Sequence, residues 1–226
     1  NEDTARIYCD YSLLTSDKRI TNDVEHLFHF YNNNYKTGTY KHLLVSPFFM
    51  RKKLISLIDG EIEKANARKP ASIFLKMNSL NDEELIQKLY DASDAGVKVR
   101  IIARGICSLI PRKSGLSENI EVRSIVDKYL EHARVFVFGS GVDSKVYLSS
   151  ADFMVRNLDF RSEAAVPVFD KKIKQQLTDM LEIQWMDNVK SRIIDEALTN
   201  RYFRPTLGRV KKIRSQEEIY NYLKRT

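Results

Sequence analysis

Apolar and polar positions along this chain fall into two rhythms, and the order of those rhythms predicts an architecture. From residue 40 onward, apolar runs of strand length alternate with longer stretches whose apolar residues recur every three or four positions. Leu43-Leu44-Val45-Ser46-Pro47 reads as a buried strand closed by proline. Residues 50–67 carry Leu54, Ile58, Ile62 and Ala65 on one stripe, the pattern of an amphipathic helix. Residues 71–77 read as a strand, and 97–103 as the next one. Between them, 82–95 reads as a helix with Leu85, Ile86, Leu89 and Tyr90 inward and Gly96 as its stop. Further strands are predicted over 121–126, 135–138, 146–149 and 164–168. A helix over 172–186 turns Ile173, Leu177, Met180 and Leu181 to one face, and 217–224 makes a last amphipathic turn or two. In 135–138 valine and phenylalanine alternate, so both faces of that strand are apolar and it is expected to be covered on both sides. Strands alternating with helices, then strands more closely spaced, predict an α/β fold, a mixed sheet flanked by helices on both faces.

The first forty residues show a different pattern. Residues 5–11 read as a short strand or extended segment. Residues 21–30 read as a helix with Thr21 as N-cap and with Val24, Leu27, Phe28 and Tyr31 at helical spacing. The Asn-rich polar stretch 31–39 is the best candidate for a domain boundary. A segment this short cannot bury a core of its own. Residues 1–38 are therefore expected to be the C-terminal end of a truncated upstream domain, and 39–226 a second domain with a basic tail.

Composition narrows this picture only slightly. At 226 residues, with 43% apolar and 30% charged content, the chain reads as a soluble globular protein with one sizeable core. No apolar run approaches the roughly 20 residues of a membrane helix. Cys9 and Cys107 lack C-x-x-C spacing, which argues against a zinc site or a disulfide framework and fits a reducing cytoplasm. The net charge of +7 suggests a polyanion partner until its distribution is considered. Residues 201–226 hold eight Lys/Arg against Glu217 and Glu218, and the other 200 residues are close to neutral. Basicity belongs to the tail, which reads as a solvated, partly flexible terminus.

Candidate chemistry gathers where polar residues punctuate the strands. His132 in Tyr129-Leu130-Glu131-His132-Ala133-Arg134 stands at the entry of the 135–138 strand, able to reach a cleft from a rigid backbone. Imidazole moves protons near neutral pH. Arg104, after a buried strand and before Gly105, is placed for a bidentate phosphate clamp. Glu163 enters a strand and could orient His132, as carboxylates do for catalytic imidazoles. Ser149-Ser150-Ala151-Asp152 could cap a helix and face an anion. Each has a plainer alternative: a core histidine, a surface arginine, and a glutamate paired with Arg161 or Arg156. Tyr8 in its short strand would by itself be core.

The order H-x-R, strand, Gly-rich turn, strand, S-S-A-D resembles one half of a phospholipase-D-type motif, with Arg134 where that motif has lysine and Asp152 where it often has asparagine. The stretches Cys9-Asp10-Tyr11-Ser12-Leu13-Leu14-Thr15, Arg104-Gly105-Ile106-Cys107-Ser108-Leu109-Ile110-Pro111, Ser124 to His132 and Val146 to Met154 resemble the polyphosphate kinases of the phosphohistidine type. The resemblance runs nearly end to end. It implies a phospholipase-D-like fold and reversible transfer of the ATP γ-phosphate to inorganic polyphosphate. It implies that Tyr8 stacks on adenine, that Arg104 contacts ATP phosphate, and that His132 assists transfer as acid or base with Glu163 behind it. The covalent phosphohistidine and the arginines associated with Mg²⁺ are implied to lie upstream of Asn1, since His26, His29 and His42 do not sit in the nucleophile's motif. The fragment alone is then expected to be inactive. ATP or ADP and polyphosphate are the implied partners, in a homo-oligomer located in the cytoplasm, with attachment at the inner membrane left open. The alternatives are a phospholipase-D-like phosphodiesterase and a polyanion- or nucleic-acid-binding module led by the tail. Nucleic acid is not expected, because the aromatic-basic interleaving of stacking sites is lacking.

Overall fold

The computed structural model describes residues 1–33, 37–205 and 211–225. Along them run α1 (Glu2–Ala5), β1 (Tyr8–Cys9), α2 (Lys18–Asn32), β2 (Leu44–Ser46), α3 (Met50–Asn66), β3 (Ser72–Met77), α4 (Glu83–Asp94) and β4 (Lys98–Ala103). The second half holds β5 (Ile120–Ile125), β6 (Leu130–Glu131), β7 (Arg134–Phe138), β8 (Lys145–Ser149), β9 (Glu163–Pro167), α5 (Lys171–Trp185), β10 (Ser191–Ile194) and α6 (Ser215–Leu223). Eight strands form one sheet in the order β10-β5-β4-β3-β7-β8-β9-β2, while β1 and β6 pair separately. β3, β4 and β5 run parallel, and the remaining pairings in the large sheet are antiparallel. The sheet is therefore mixed, as the patterning predicts.

Alternation along the central strands sorts side chains onto two cores. Ile73, Leu75, Met77, Ile101, Phe136 and Phe138 join Leu54, Ile58, Leu85 and Leu89 of α3 and α4. Phe74, Ile102, Val135 and Val137 join Leu177, Met180 and Leu181 of α5, with Ile219 and Tyr222 of α6 against them. Helices thus cover both faces, and β7 is covered on both sides as its valine–phenylalanine alternation requires. α4 ends at Asp94 with Ala95 as its C-cap, followed by Gly96 at φ 89°, a left-handed position that favours glycine. Among the described residues no helix is long and apolar enough to cross a membrane.

Several elements differ from expectation. Residues 5–11 supply only the two-residue strand β1, because its partner β6 is equally short and Ala5 ends the capped turn α1. α2 starts at Lys18, since Asp17 accepts from the Arg19 N–H and caps the helix ahead of Thr21. Its Ile20, Val24 and Leu27 pack against Tyr40, Leu43 and Val45, whereas Phe28 and Tyr31 face outward. β10 is an edge strand that sequence patterning missed. The tail is ordered over 211–225, where α6 packs on α5. The expected boundary loop at 31–39 falls partly outside the described residues, at 34–36, and so does Arg209 of the tail.

Candidate functional site

The parallel strands β3 and β4 end level with each other, Met77 opposite Ala103, and the antiparallel β7 begins at that same edge. β8 ends there and β9 starts there. Asn78, Arg104, His132, Asp152 and Glu163 are consequently delivered to one edge, beyond the carboxyl ends of the parallel strands, where open α/β sheets form their crevices.

His132 is fixed from both sides of its ring. Nδ1 lies 2.8 Å from Asp10 Oδ1, and Nε2 lies 3.2 Å from Arg134 Nη1. An arginine can only donate and a carboxylate can only accept. These partners assign the tautomer with the proton on Nδ1 and the lone pair on Nε2. Asp10 reaches the ring because β1 pairs in parallel with β6: Leu130 N donates to Ile7 O at 2.6 Å, and the N–H groups of His132 and Ala133 both donate to Cys9 O. The same pairing sets the Tyr8 ring edge-on to His132, centroids 4.7 Å apart. Tyr8 is 36% exposed and so is not the core residue its strand alone would suggest.

Beneath His132 lies a buried ionic network. Lys76 Nζ, on β3, is 3.1 Å from Glu131 Oε2 and donates to Ala133 O at 3.0 Å. Gln184 of α5 and Gln216 of α6 donate to the two oxygens of Glu131. A buried charge pair is tolerable only when its remaining hydrogen-bonding capacity is also met. Here Ala133 O, Gln184 and Gln216 take up much of it, and they fix the residues on either side of His132.

Arg134 does not project into open space. Its Nε and Nη2 reach the two oxygens of Asp152 at 3.2 and 3.0 Å, both side chains being largely buried. Asp152 also accepts from the N–H groups of Asn78 and Ser79. It anchors Arg134 and the turn after β3. The next helical turn, Arg156–Phe160, is π-helical, so the S-S-A-D cluster caps no α-helix. Arg104 is half-buried, its Nε donates to Asn78 Oδ1 at 2.9 Å, and its Nη1 and Nη2 have no partner among the described residues. That is a guanidinium held at its base with its fork free.

Glu163 differs most from expectation. Its carboxylate takes Asn157 Nδ2 at 2.5 Å and the Ser150 hydroxyl, and makes no pair with Arg161 or Arg156. It does not hold His132, because β8 lies between β9 and β7 in the sheet and strands are spaced by about 4.8 Å. The carboxylate on the His132 ring is that of Asp10. Neither cysteine is a ready nucleophile near neutral pH: burial pushes the Cys107 thiol up to about 11, and burial with the Glu131 carboxylate nearby raises that of Cys9.

The geometry can be set against known proteins. Residues 43–216 match the family model of the polyphosphate kinase C-terminal domain 2, and residues 1–37 match that of domain 1. The chain belongs to the polyphosphate kinase family. It is 54% identical over 224 residues to the polyphosphate kinase of Yersinia pestis and 50% identical to that of Escherichia coli K12, in each case covering 99% of this chain and 32% of the relative. It spans about a third of the length of these curated relatives. The crystal structure of the Porphyromonas gingivalis polyphosphate kinase superposes with a TM-score of 0.93 at 42% identity, over 99% of this chain and 34% of that one. A phospholipase D family member, Nuc from Salmonella typhimurium, is a more distant match, at 18% identity and a TM-score of 0.49.

Sequence reasoning missed two residues that the structure places at this edge, and both had a signal. Asp10 lies two positions after Tyr8, and in an extended segment such residues share a face. Asn78 succeeds β3 as Arg104 succeeds β4, and parallel neighbours that end in register present their next residues side by side.

Proposed function

We propose that this chain supplies part of the transfer site of a polyphosphate kinase. In that reading the γ-phosphoryl group of ATP passes reversibly to inorganic polyphosphate through a phosphohistidine carried outside these 226 residues. Two displacements are needed. The P–O bond to the ADP β-phosphate breaks as a P–N bond to the nucleophilic histidine forms. That P–N bond then breaks as a terminal polyphosphate oxygen takes the phosphoryl group. The observation that carries the reading is the His132–Asp10 pair set on the same strand edge as the open fork of Arg104.

Transfer of this kind depends on positioned positive charge more than on covalent help from the protein. Arg104 would bind phosphate oxygens through Nη1 and Nη2. His132 would give or take a proton at Nε2, while Asp10 holds the ring and stabilises it when both nitrogens are protonated. Tyr8, packed edge-on to His132 with part of its ring open, would hold the adenine. Glu163 stays in the proposal as a carboxylate on this edge, acting on Ser150 and Asn157. Residues 1–38 would end an upstream domain and serve 39–226 as an arm carrying Tyr8 and Asp10. Among the described residues no group of three or more His, Cys, Asp or Glu side chains could hold a metal ion, and Asp10 and Asp152 are engaged by His132 and Arg134. The residues present do not offer Mg²⁺ a ligand set, and no step is assigned to it. The two free cysteines fit a cytoplasmic location.

The test is ATP formation from polyphosphate and ADP by the full-length enzyme, wild type against His132→Ala. General acid–base help is worth on the order of 10²–10⁴ in rate. A loss of that size in a folded variant is expected, and an unchanged rate would overturn the reading.

A further inference from the structure

The two groups assigned to phosphate and proton work sit on different strands, and nothing in their own side chains sets one relative to the other. Asn78 lies between them. It is 4% exposed, and each of its four polar atoms goes to a site residue or to the neighbour of one. Nδ2 donates to His132 O at 3.2 Å, and Oδ1 accepts from Arg104 Nε at 2.9 Å. The backbone N–H donates to Asp152 Oδ1 at 2.7 Å, and the carbonyl accepts from Gly105 N at 2.8 Å.

The chemistry of the position is selective. A group placed between a guanidinium and a carbonyl oxygen must accept on one side and donate on the other, because arginine has no acceptor and a carbonyl has no donor. A primary amide does this in a fixed orientation. Gly105 keeps the approach short: a Cβ there would stand 3.1 Å from Asn78 O. With Nε anchored, the plane of the Arg104 guanidinium is set and its Nη1 and Nη2 remain for a bidentate contact with phosphate oxygens.

We propose that Asn78 is a positioning residue that locks Arg104 and His132 into one geometry, so that the phosphate fork and the proton-carrying imidazole are aligned before substrate arrives. This rests on the transfer-site reading above. Alignment of this kind matters because a displacement of about 1 Å can cost on the order of 10² in rate.

The experiment is a double-mutant cycle in the full-length enzyme, monitoring ATP formation from polyphosphate and ADP. The variants are Asn78→Ala, Asn78→Asp, Arg104→Ala, His132→Ala and the pairs that combine Asn78→Ala with each of the other two. Asn78→Ala is expected to lower kcat by about 10- to 100-fold, with much less of that loss in the Arg104→Ala and His132→Ala backgrounds, because coupled residues are not additive. Asn78→Asp keeps the acceptor for Arg104 and loses the donor to His132, and it guards against an alanine variant that fails to fold. It should keep KM for ADP near wild type while kcat stays low. Losses from Asn78→Ala that are equal in all three backgrounds would reduce Asn78 to a structural residue and overturn the inference while leaving the site reading intact. Full activity in both Arg104→Ala and His132→Ala would overturn the two together.

Discussion

A histidine held between an aspartate and an arginine has one tautomer available, and that constraint is the most consequential feature at the scale of single residues. Asp10 accepts the hydrogen bond from Nδ1–H, and Arg134 faces the Nε2 lone pair. Asp10→Asn removes the charge that favours a doubly protonated ring, and its amide can turn either its oxygen or its N–H to Nδ1, so the ring is no longer held to one protonation pattern. In the full-length enzyme we expect Asp10→Asn to slow ATP formation from polyphosphate and ADP by about 10²-fold or more, within the range of a lost acid–base function. Thermal unfolding should barely change, since half of the Asp10 side chain is in solvent. A rate within twofold of wild type would show that the carboxylate does not orient the ring. Arg104 and His132 were legible in the sequence because each sits at the end of a strongly apolar run. Asp10 was not, because its strand is two residues long and pairs with an equally short partner far along the chain. Glu163 misled because a carboxylate near a strand start carries no information about which strand lies between it and its intended partner.

At the scale of elements, the strands that carry the site come from apolar runs, whereas the segment leading into His132 is held by polar contacts that periodicity does not reveal. α6 acts there as a clasp. Gln216 brackets Tyr129, accepting from its N–H at 3.1 Å and donating to its carbonyl at 2.8 Å, and it also reaches Glu131. Arg214 makes two bonds to Asp127, whose side chain is 1% exposed. Those bonds hold the Asp127 carboxyl below its usual range, with the Arg214 guanidinium the largest cause. A carboxylate depressed in the folded state stabilises fully above its unfolded value, about 3.9 for aspartate, and loses that contribution as pH falls through its folded value. Asp127→Asn should therefore be clearly less stable than wild type in urea at about pH 6, and the gap should close towards about pH 2. A gap that stays constant across this range would mean that the Arg214–Asp127 pair is not what holds α6 in place. β10 escaped sequence reading for a related reason. As a short edge strand with three half-buried residues, it shows too little alternation to register.

For the molecule as a whole, charge and fold have to be separated in the tail. Eight basic side chains in 201–226 made this stretch look like a solvated terminus or a polyanion arm. Yet over 211–225 many of its polar groups are directed inward. Asn188 accepts from Ile213 N and donates to Lys211 O, Asp187 accepts from Ser215 N, and Tyr222 donates to Asp179. Composition cannot distinguish an arginine that neutralises a buried aspartate from one that waits for a ligand. Two variants can. Neutralising the outward Lys212, Lys224 and Arg225 to glutamine should leave stability within about 0.5 kcal/mol, as for surface changes generally. Ending the chain after Pro205 removes Arg214 from Asp127 and Gln216 from Glu131, and it strips Ile219 and Tyr222 from the core that α5 completes. Asp127 keeps Lys190 at 3.8 Å and Glu131 keeps Lys76. The lost bonds and the uncovered apolar surface nevertheless act together, so the shortened chain should unfold at distinctly lower urea and the correspondingly shortened enzyme should lose transfer activity. If instead the three neutralisations abolish transfer while the truncation leaves stability unchanged, the tail works as a polyanion arm. The clasp would then have no part in holding His132.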